Sequence, residues 1–395
     1  MPAPFDLNLR HVLAVRTIVA RGRIGLAAEA ESLTQPALTQ GLARLEAQLG
    51  TPLFTRRPDG MRATAAGTLL TDRAERALLH LRAATRPGER GFANPERLMT
   101  STQLRAFLAV AEAGSFRGAA ARAAVSQPAI HRAVRDLEQI LSVPLVERRG
   151  RGVALTERGR RLARAARLVA AELTAAIAEL GGEAAAPVTL TVGAMPLSRA
   201  HLLPQALDRL LAVTPNACVS VVEGSWRELV DLLRDGAIDL MVGALRDGPG
   251  LDDLAQTPLF EDRLAVVAGA GHPLAGAVLP PLAELARHRW IVGPAGSPLR
   301  QHWEQLFAGG PLPPAPIECG SVMTIRELLR RGDYLTLLSP AQVAVEVAGG
   351  ILALVGTPLA RCVRTIGVTT RALWRPTPPQ ERLLHALDEA AGNRT

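Results

Sequence analysis

Lysine is missing from this sequence altogether; all 45 residues counted as Lys+Arg are arginine. Arginine suits bidentate contacts to phosphate and guanine, but its uniform use reads first as coding bias. Cysteine is scarce too. Cys218, Cys319 and Cys362 are odd in number and lack CxxC spacing. That argues against a disulfide framework and against zinc. Each lies among apolar, strand-like residues, so all three are expected to be buried, inert thiols. No uncharged apolar run reaches the roughly 18 residues that span a membrane. The start, Met1-Pro2-Ala3-Pro4-Phe5-Asp6-Leu7, has no basic region leading into an apolar stretch. It does not read as a secretory signal, and a cytoplasmic protein is expected. Catalytic patterns are absent as well. The eight histidines are scattered, and HExxH, GxSxG and GxxxxGK[ST] do not occur. No catalytic residue, metal or cofactor is expected, and the chain does not read as an enzyme.

What is present is a repeat. Gly114-Ser115-Phe116, Ser126-Gln127-Pro128-Ala129, Leu137-Glu138, Pro144-Leu145 and Arg148-Arg149 form one series. It returns 92 residues earlier as Gly22-Arg23-Ile24, Thr34-Gln35-Pro36-Ala37, Leu45-Glu46, Pro52-Leu53 and Arg56-Arg57. From Val12 to Gly67, 17 of 56 positions match the stretch starting at Leu104, without a gap. A unit of about ninety residues is too long for a solenoid repeat and fits two small domains in tandem. Charge is also uneven. Residues 1–180 hold 27 arginines against 16 acidic residues, whereas residues 181–395 hold 18 against 21. A basic front half suggests a polyanion-binding module joined to something else.

In the second repeat Leu104, Phe107, Leu108, Val110 and Ala111 recur at helical spacing. Ser115 can cap the helix that follows, alanine-rich over Ala119–Ala123. Ser126 caps a third helix, with Pro128 in its first turn, where a missing N–H does no harm. This helix runs to about Leu141. Ile130, Val134, Leu137 and Leu141 make its buried stripe, leaving Gln127, His131, Arg132 and Arg135 on the other side. A short helix, a tight turn and a polar-faced helix make a helix-turn-helix, whose recognition helix enters the major groove. Two short strands then flank Arg148, Arg149, Gly150, Arg151 and Gly152. Such a wing places arginine against phosphates or in a narrow minor groove. One isolated arginine would read as a solvated charge. A polar helix face followed by a basic wing reads as a contact to double-stranded DNA.

These residues carry a family resemblance. Residues 100–395 resemble a LysR-type transcriptional regulator along their whole length. Phe107–Thr156 holds the N-terminal signature, including Ala119-Ala120, Ser126-Gln127-Pro128-Ala129, Leu137-Glu138 and Pro144-Leu145. The resemblance implies base contacts at Gln127, Pro128, His131 and Arg132, and a wing-side backbone or minor-groove contact at Arg148. His131 stands where the family usually has serine. The family usually has one reader domain, so the tandem form departs from its pattern.

The first repeat is a weaker copy. Thr34, Gln35 and Pro36 start its third helix, and Leu38, Leu42, Leu45 and Leu49 form the stripe. Thr39 and Gln40 replace His131 and Arg132. Gly41 inside the helix costs about 1 kcal/mol relative to alanine. The wing keeps Arg56-Arg57 but continues into Pro58-Asp59, and Asp59 repels phosphate. Two readings stay open. Either Gln35, Pro36, Thr39, Gln40, Arg56 and Arg57 contact a further DNA segment, or the repeat is a retained scaffold that mainly provides dimer surface.

Leu69–Ala84 and Arg158–Leu180 have the composition of exposed amphipathic helices. The resemblance implies that the helix after the reader pairs two subunits, giving a homodimer or homotetramer, and leads to a sensor domain. Leu162, Ala166, Val169, Leu173, Ile177 and Leu180 supply a seam in three- and four-residue steps. The alternative is a helix packed on its own domain.

From Val188 onward strands and helices alternate, which predicts a parallel sheet covered by helices. The resemblance implies two Rossmann-like lobes, like a periplasmic binding protein, with the chain crossing near Asp262 and returning near Thr369. Ligands sit beyond the carboxyl ends of strands in such sheets. That directs attention to Pro196, Leu197, Ser198, Gly243, Ser297, Ser321 and Val322. Ser198 and Ser297 are also helix-cap candidates, and Thr324 with Glu327 reads as a capping box. Backbone N–H groups at helix starts favour an anion such as a carboxylate.

The expected organisation is a degenerate winged helix-turn-helix plus helix over 1–90 and a second such domain with linker helix over 97–182. An α/β effector-binding domain over 187–395 follows, with lobe 1 near 187–262 and 370–395 and lobe 2 near 263–369. The expected function is a DNA-binding regulator answering to a small anionic metabolite. A solute-binding protein of periplasmic type would share the back half but needs an export signal and no basic front.

Overall fold

Asn8 accepts hydrogen bonds from the backbone N–H groups of Arg10 and His11 and so caps α1 (Leu9–Arg21). Gly22 ends that helix at φ +68°, in the left-handed region where only glycine is unstrained. This computed structural model describes residues 2–58, 60–85, 92–150, 152–181, 189–196, 198 and 202–392. The chain divides into two units, Met1–Val188 with Arg234–Gly236 and Thr189–Leu233 with Ala237–Thr395.

In the first unit the repeat is built twice to one plan. α1 is followed by α2 (Ile24–Ala30), α3 (Gln35–Leu49), β1 (Phe54–Arg57), β2 (Gly60–Ala63) and α4 (Ala65–Ala84). The second copy is α5 (Ser101–Ala113), α6 (Phe116–Ala123), α7 (Gln127–Leu141), β3 (Val146–Arg149), β4 (Gly152–Leu155) and α8 (Glu157–Leu180). Thr34, Thr64, Ser115, Ser126 and Thr156 cap α3, α4, α6, α7 and α8. The residues shared by both repeats have mechanical roles. Glu138 Oε1 accepts the N–H groups of Leu145 at 2.8 Å and Val146 at 3.4 Å. Glu46 Oε1 does the same for Leu53 at 2.7 Å and Phe54 at 3.3 Å. The glutamate thus ties each wing to its recognition helix. Gly67 and Gly159 lie so close to the carbonyls of Leu53 and Leu145 that a Cβ would collide with backbone. One apolar cluster runs through both repeats, from Phe5, Leu9 and Val12 through Leu78 and Leu81 to Phe107, Leu137, Leu173 and Ile177.

The second unit has two lobes. Its elements are β5 (Thr189–Ala194), α9 (Leu202–Val213), β6 (Cys218–Glu223), α10 (Trp226–Arg234), β7 (Leu240–Ala244) and β8 (Leu254–Arg263), then β9 (Ala265–Gly269), α11 (Leu282–Leu285), β10 (Arg289–Val292) and α12 (Pro298–Leu306). They continue as β11 (Ile317–Glu318), α13 (Val322–Arg331), β12 (Tyr334–Leu338), α14 (Ala344–Ala348), β13 (Leu352–Val355), β14 (Val363–Arg371) and α15 (Pro378–Gly392). Lobe 1 has strand order β6-β5-β7-β14-β8, and lobe 2 has β11-β10-β12-β9-β13. The sheets are mixed rather than wholly parallel. β14 runs antiparallel to β7 and β8, and β9 runs antiparallel to β12 and β13. The crossing strands β8 and β14 are long partners in lobe 1, so the return falls at Val363 rather than near Thr369. Among the described residues α9 spans Leu202–Val213, with Ser198 in a turn before it, and Ser321 rather than Thr324 caps α13, one turn earlier than expected. Cys218 is exposed on the edge strand β6 and Cys319 is partly so; Cys362 alone is buried. An edge strand lacks the second neighbour that would cover it.

Candidate nucleic-acid interface and effector cleft

The polar face of α7 forms as its spacing demands. Ile130, Ala133, Val134 and Leu137 are buried, while Gln127, Pro128, Arg132 and Arg135 are exposed. Gln127, Pro128, His131, Arg132, Arg135, Asp136 and Gln139 line one shallow surface groove. Ser126 is spent as the cap: its Oγ accepts the N–H of Ala129 at 3.4 Å. His131 is held differently from its neighbours. Its ring stacks on Phe116 of α6, with centroids 3.7 Å apart and planes at 17°. Its Nε2 lies 3.5 Å from Gln127 Nε2, so the imidazole edge, not its face, borders the groove. Arg148 and Arg149 are exposed on β3; Arg151 lies outside the described residues. Replacing Glu138 with alanine leaves two wing N–H groups without their partner. That should cost about 1–3 kcal/mol, read as a lower urea midpoint, together with weaker DNA binding through the loosened wing.

In the first repeat Gln35, Pro36, Thr39, Gln40 and Ala43 line the matching groove of α3. The Thr39 hydroxyl donates to the Gln35 carbonyl at 2.8 Å, which turns it back toward its own helix. Arg56 and Arg57 are exposed on β1; Asp59 lies outside the described residues. Gly41 has a packing reason that its spacing did not reveal: a Cβ there would run into the His11 ring of α1. Burial, then Arg10 and Arg44, push the His11 pKa down, keeping the ring neutral.

In the second unit the sequence-selected residues collect at strand ends, but several are already engaged. The Ser198 hydroxyl is fully buried against the carbonyls of Met195 at 2.9 Å and Val242 at 3.0 Å. Ser297 caps α12 and Ser321 caps α13, each accepting a backbone N–H. Val322 opens α13, and Pro196 is half-buried beyond β5. Gly243 is pressed against the Met195 side chain. Leu197 lies outside the described residues. Arg300 pairs with Glu304 at 2.7 Å and Glu318 at 3.5 Å, and Arg326 pairs with Glu346.

Two arginines and a histidine that the sequence did not single out lie where the lobes meet. Arg364 at the start of β14 is largely covered and donates to Asp262 Oδ2 at 2.9 Å; Ser339 donates to the other Asp262 oxygen at 2.5 Å. Arg246 follows the carboxyl end of β7, and His302 lies on α12. Burial and the Arg364 charge lower the pKa values of both. Arg246 lies over the Trp226 ring at 5.8 Å. Its Nε and His302 Nδ1 are buried without a hydrogen-bond partner among the described residues. Charge crowding with unmet donors suits an anion. The signal in the sequence was only that Arg246 follows a strand end.

Comparison with known proteins decides the family. The lysR-family bacterial regulatory helix-turn-helix domain matches residues 9–68 and again 101–160, and the LysR substrate binding domain matches 186–392. The chain belongs to the LysR family. It is a helix-turn-helix transcriptional regulator with a substrate-binding domain, and its reader domain is doubled. The HTH-type transcriptional regulator GalR of Pseudomonas putida is 33% identical over 381 residues, 93% of this chain and 94% of its own. The HTH-type regulator PcaQ of Agrobacterium fabrum is 32% identical over 292 residues, 73% of this chain and 94% of its own. A full-length OxyR variant from Pseudomonas aeruginosa shares 26% identity with a TM-score of 0.57, over 73% of this chain and 93% of that one. ArgP of Mycobacterium tuberculosis has the same fold, with a TM-score of 0.60 at 22% identity over 73% of this chain and 96% of that one. A solute-binding protein would leave two matched LysR-family readers unexplained. Among the described residues no helix is long and apolar enough to cross a membrane.

Proposed function

We propose that this LysR-type regulator reads double-stranded DNA with α7 and the β3–β4 wing, assisted by α3 and the β1–β2 wing. A small carboxylate-bearing metabolite controls it from the cleft between the lobes. The carrying observation is the exposed series Gln127, Arg132, Arg135, Arg148 and Arg149 on one helix and its adjoining wing. Gln35, Gln40, Arg56 and Arg57 supply the weaker second surface. Arg132 and Arg135 suit base edges and phosphates, and Arg148 and Arg149 suit the backbone beside the groove. In the cleft, Arg246 and His302 offer donors, and the Arg364–Asp262 pair holds the strands that link the lobes. Effector binding shifts the lobe arrangement, and the reader responds through differential affinity. The protein works in the cytoplasm and catalyses no reaction.

Thermal shift of the full chain against aromatic and aliphatic carboxylates tests the cleft. A binding acid should raise the melting temperature of the wild type. Arg246→Ala should weaken it roughly 10- to 100-fold, since a charge-assisted bond contributes about 1.5–3 kcal/mol. DNA affinity without effector should be unchanged. An acid that binds both proteins equally well would remove Arg246 from the site.

A further inference from the structure

We infer that the DNA-reading dimer of this protein is internal to one chain, with α4 standing where a second subunit's linker helix would stand. Two contacts define a pseudo-twofold axis. The repeats are offset by 92, so Leu9 matches Ser101 and His80 matches Glu172. In the structure these matched positions meet each other. Leu9 N donates to Ser101 Oγ at 2.8 Å, and His80 Nε2 lies 3.9 Å from Glu172 Oε1. A residue meets its own equivalent only on a twofold axis. Arg73, seven residues before His80, meets Glu179, seven residues after Glu172, at 2.5 Å. α4 and α8 are therefore antiparallel neighbours. Ser101 also donates to the Leu7 carbonyl at 2.6 Å, and Arg105 pairs with Asp6 at 3.2 Å. The apolar cluster is continuous across this junction.

The charges at the junction suit the unlike pair alone. Arg73 is buried, with Nη1 2.9 Å from Glu172 and Nη2 2.5 Å from Glu179. Pairing α8 with α8 of a second chain would set Glu172 against Glu172 and Glu179 against Ala165, the counterpart of Arg73. Two buried carboxylates would then face each other without a cation. Pairing α4 with α4 would set His80 against His80 and leave Arg73 without an acid. The homodimeric seam implied for Leu162 to Leu180 is therefore occupied from within, and association between whole chains uses another surface. One chain presents two unequal recognition helices about one axis.

Charge reversal in cis and in trans tests this. Arg73→Glu alone should strip hydrogen-exchange protection from α4 and α8 and weaken DNA binding. Adding Glu172→Arg and Glu179→Arg on the same chain should restore both. Mixing the Arg73→Glu chain with a Glu172→Arg, Glu179→Arg chain should restore neither. Rescue on mixing would show exchange of helices between chains, and an Arg73→Glu chain with full protection would show like-with-like pairing; either overturns the inference. The wild type gives a check free of folding defects. Diluted until native mass spectrometry shows single chains, it should keep α4 and α8 protected; protection lost at that point overturns the inference. The pairing of α4 with α8 does not depend on the DNA proposal, whereas its role as a reading dimer rests on it. Rescued protection without any DNA binding would defeat that proposal and leave the internal pairing intact.

Discussion

Replacing Arg73 with alanine should lower the stability of the tandem reader by about 3–5 kcal/mol, the largest single-residue loss expected in that unit. The cause is what remains. Glu172 and Glu179 have side chains only 7% and 6% exposed, and without Arg73 they are two buried carboxylates with no strong cation. An exposed pair such as Arg160–Glu157 is screened by solvent and contributes far less by comparison. Urea unfolding followed at a helix-sensitive wavelength reads the loss. Replacing all three charges together, as Arg73→Met, Glu172→Leu and Glu179→Leu, should be neutral or stabilising by about 1–4 kcal/mol. The network costs desolvation that apolar packing avoids. Acid should act on the same site. Burial opposes ionisation of Glu172, but hydrogen bonds and charge from His80 and Arg73 outweigh it and hold its pKa below the ordinary 4.5. A carboxylate with a depressed pKa adds stability above its unfolded value and loses it as pH falls through the folded one. The wild type should therefore weaken below about pH 4.5 by an amount absent from the triple apolar variant. A single alanine that costs under about 1 kcal/mol would mean that the network is not buried as described.

Raising salt from about 50 to 200 mM should weaken binding to duplex DNA by roughly 10³- to 10⁵-fold, the loss for a protein making about 6–10 phosphate contacts. The front half carries the excess charge for this, 27 arginines against 16 acids in residues 1–180, and both wings offer exposed arginine pairs. Arg149→Ala should lower the slope of log affinity against log salt by about one. Arg132→Ala should instead cost about 1–3 kcal/mol on a preferred sequence and relax its specificity. Fluorescence anisotropy over a salt series separates the two. A flat salt dependence would contradict DNA reading by either repeat.

The reader was legible because its signals are local. Caps at Thr34, Ser115 and Ser126, the leucine stripes and the paired wing arginines each act within one helix or turn. What escaped was relational. Gly41 looked like a cost until His11 was seen to fill the space beside it. Arg73 and Glu172 sit on helices whose composition reads as exposed and amphipathic, and 99 residues separate them in sequence. The helix seam was visible, but its partner was not, because heptad spacing does not name the surface it meets. In the sensor, strand ends were found and the cations were not. Arg364 sits on a returning strand, β14, whose antiparallel direction the alternation of strands and helices did not announce.

The junction of α4 with α8 also changes how occupancy depends on abundance. Two separate subunits assemble their reader by collision, so its formation falls with the square of concentration when the protein is scarce. Halves joined by a chain meet at an effective concentration fixed by the tether, and dilution does not part them. Each recognition helix is then encoded once and can change alone. If both grooves contact DNA as proposed, a substitution at Arg132 should alter one half of the target and leave Gln40 to the other, which would give the bound site a direction.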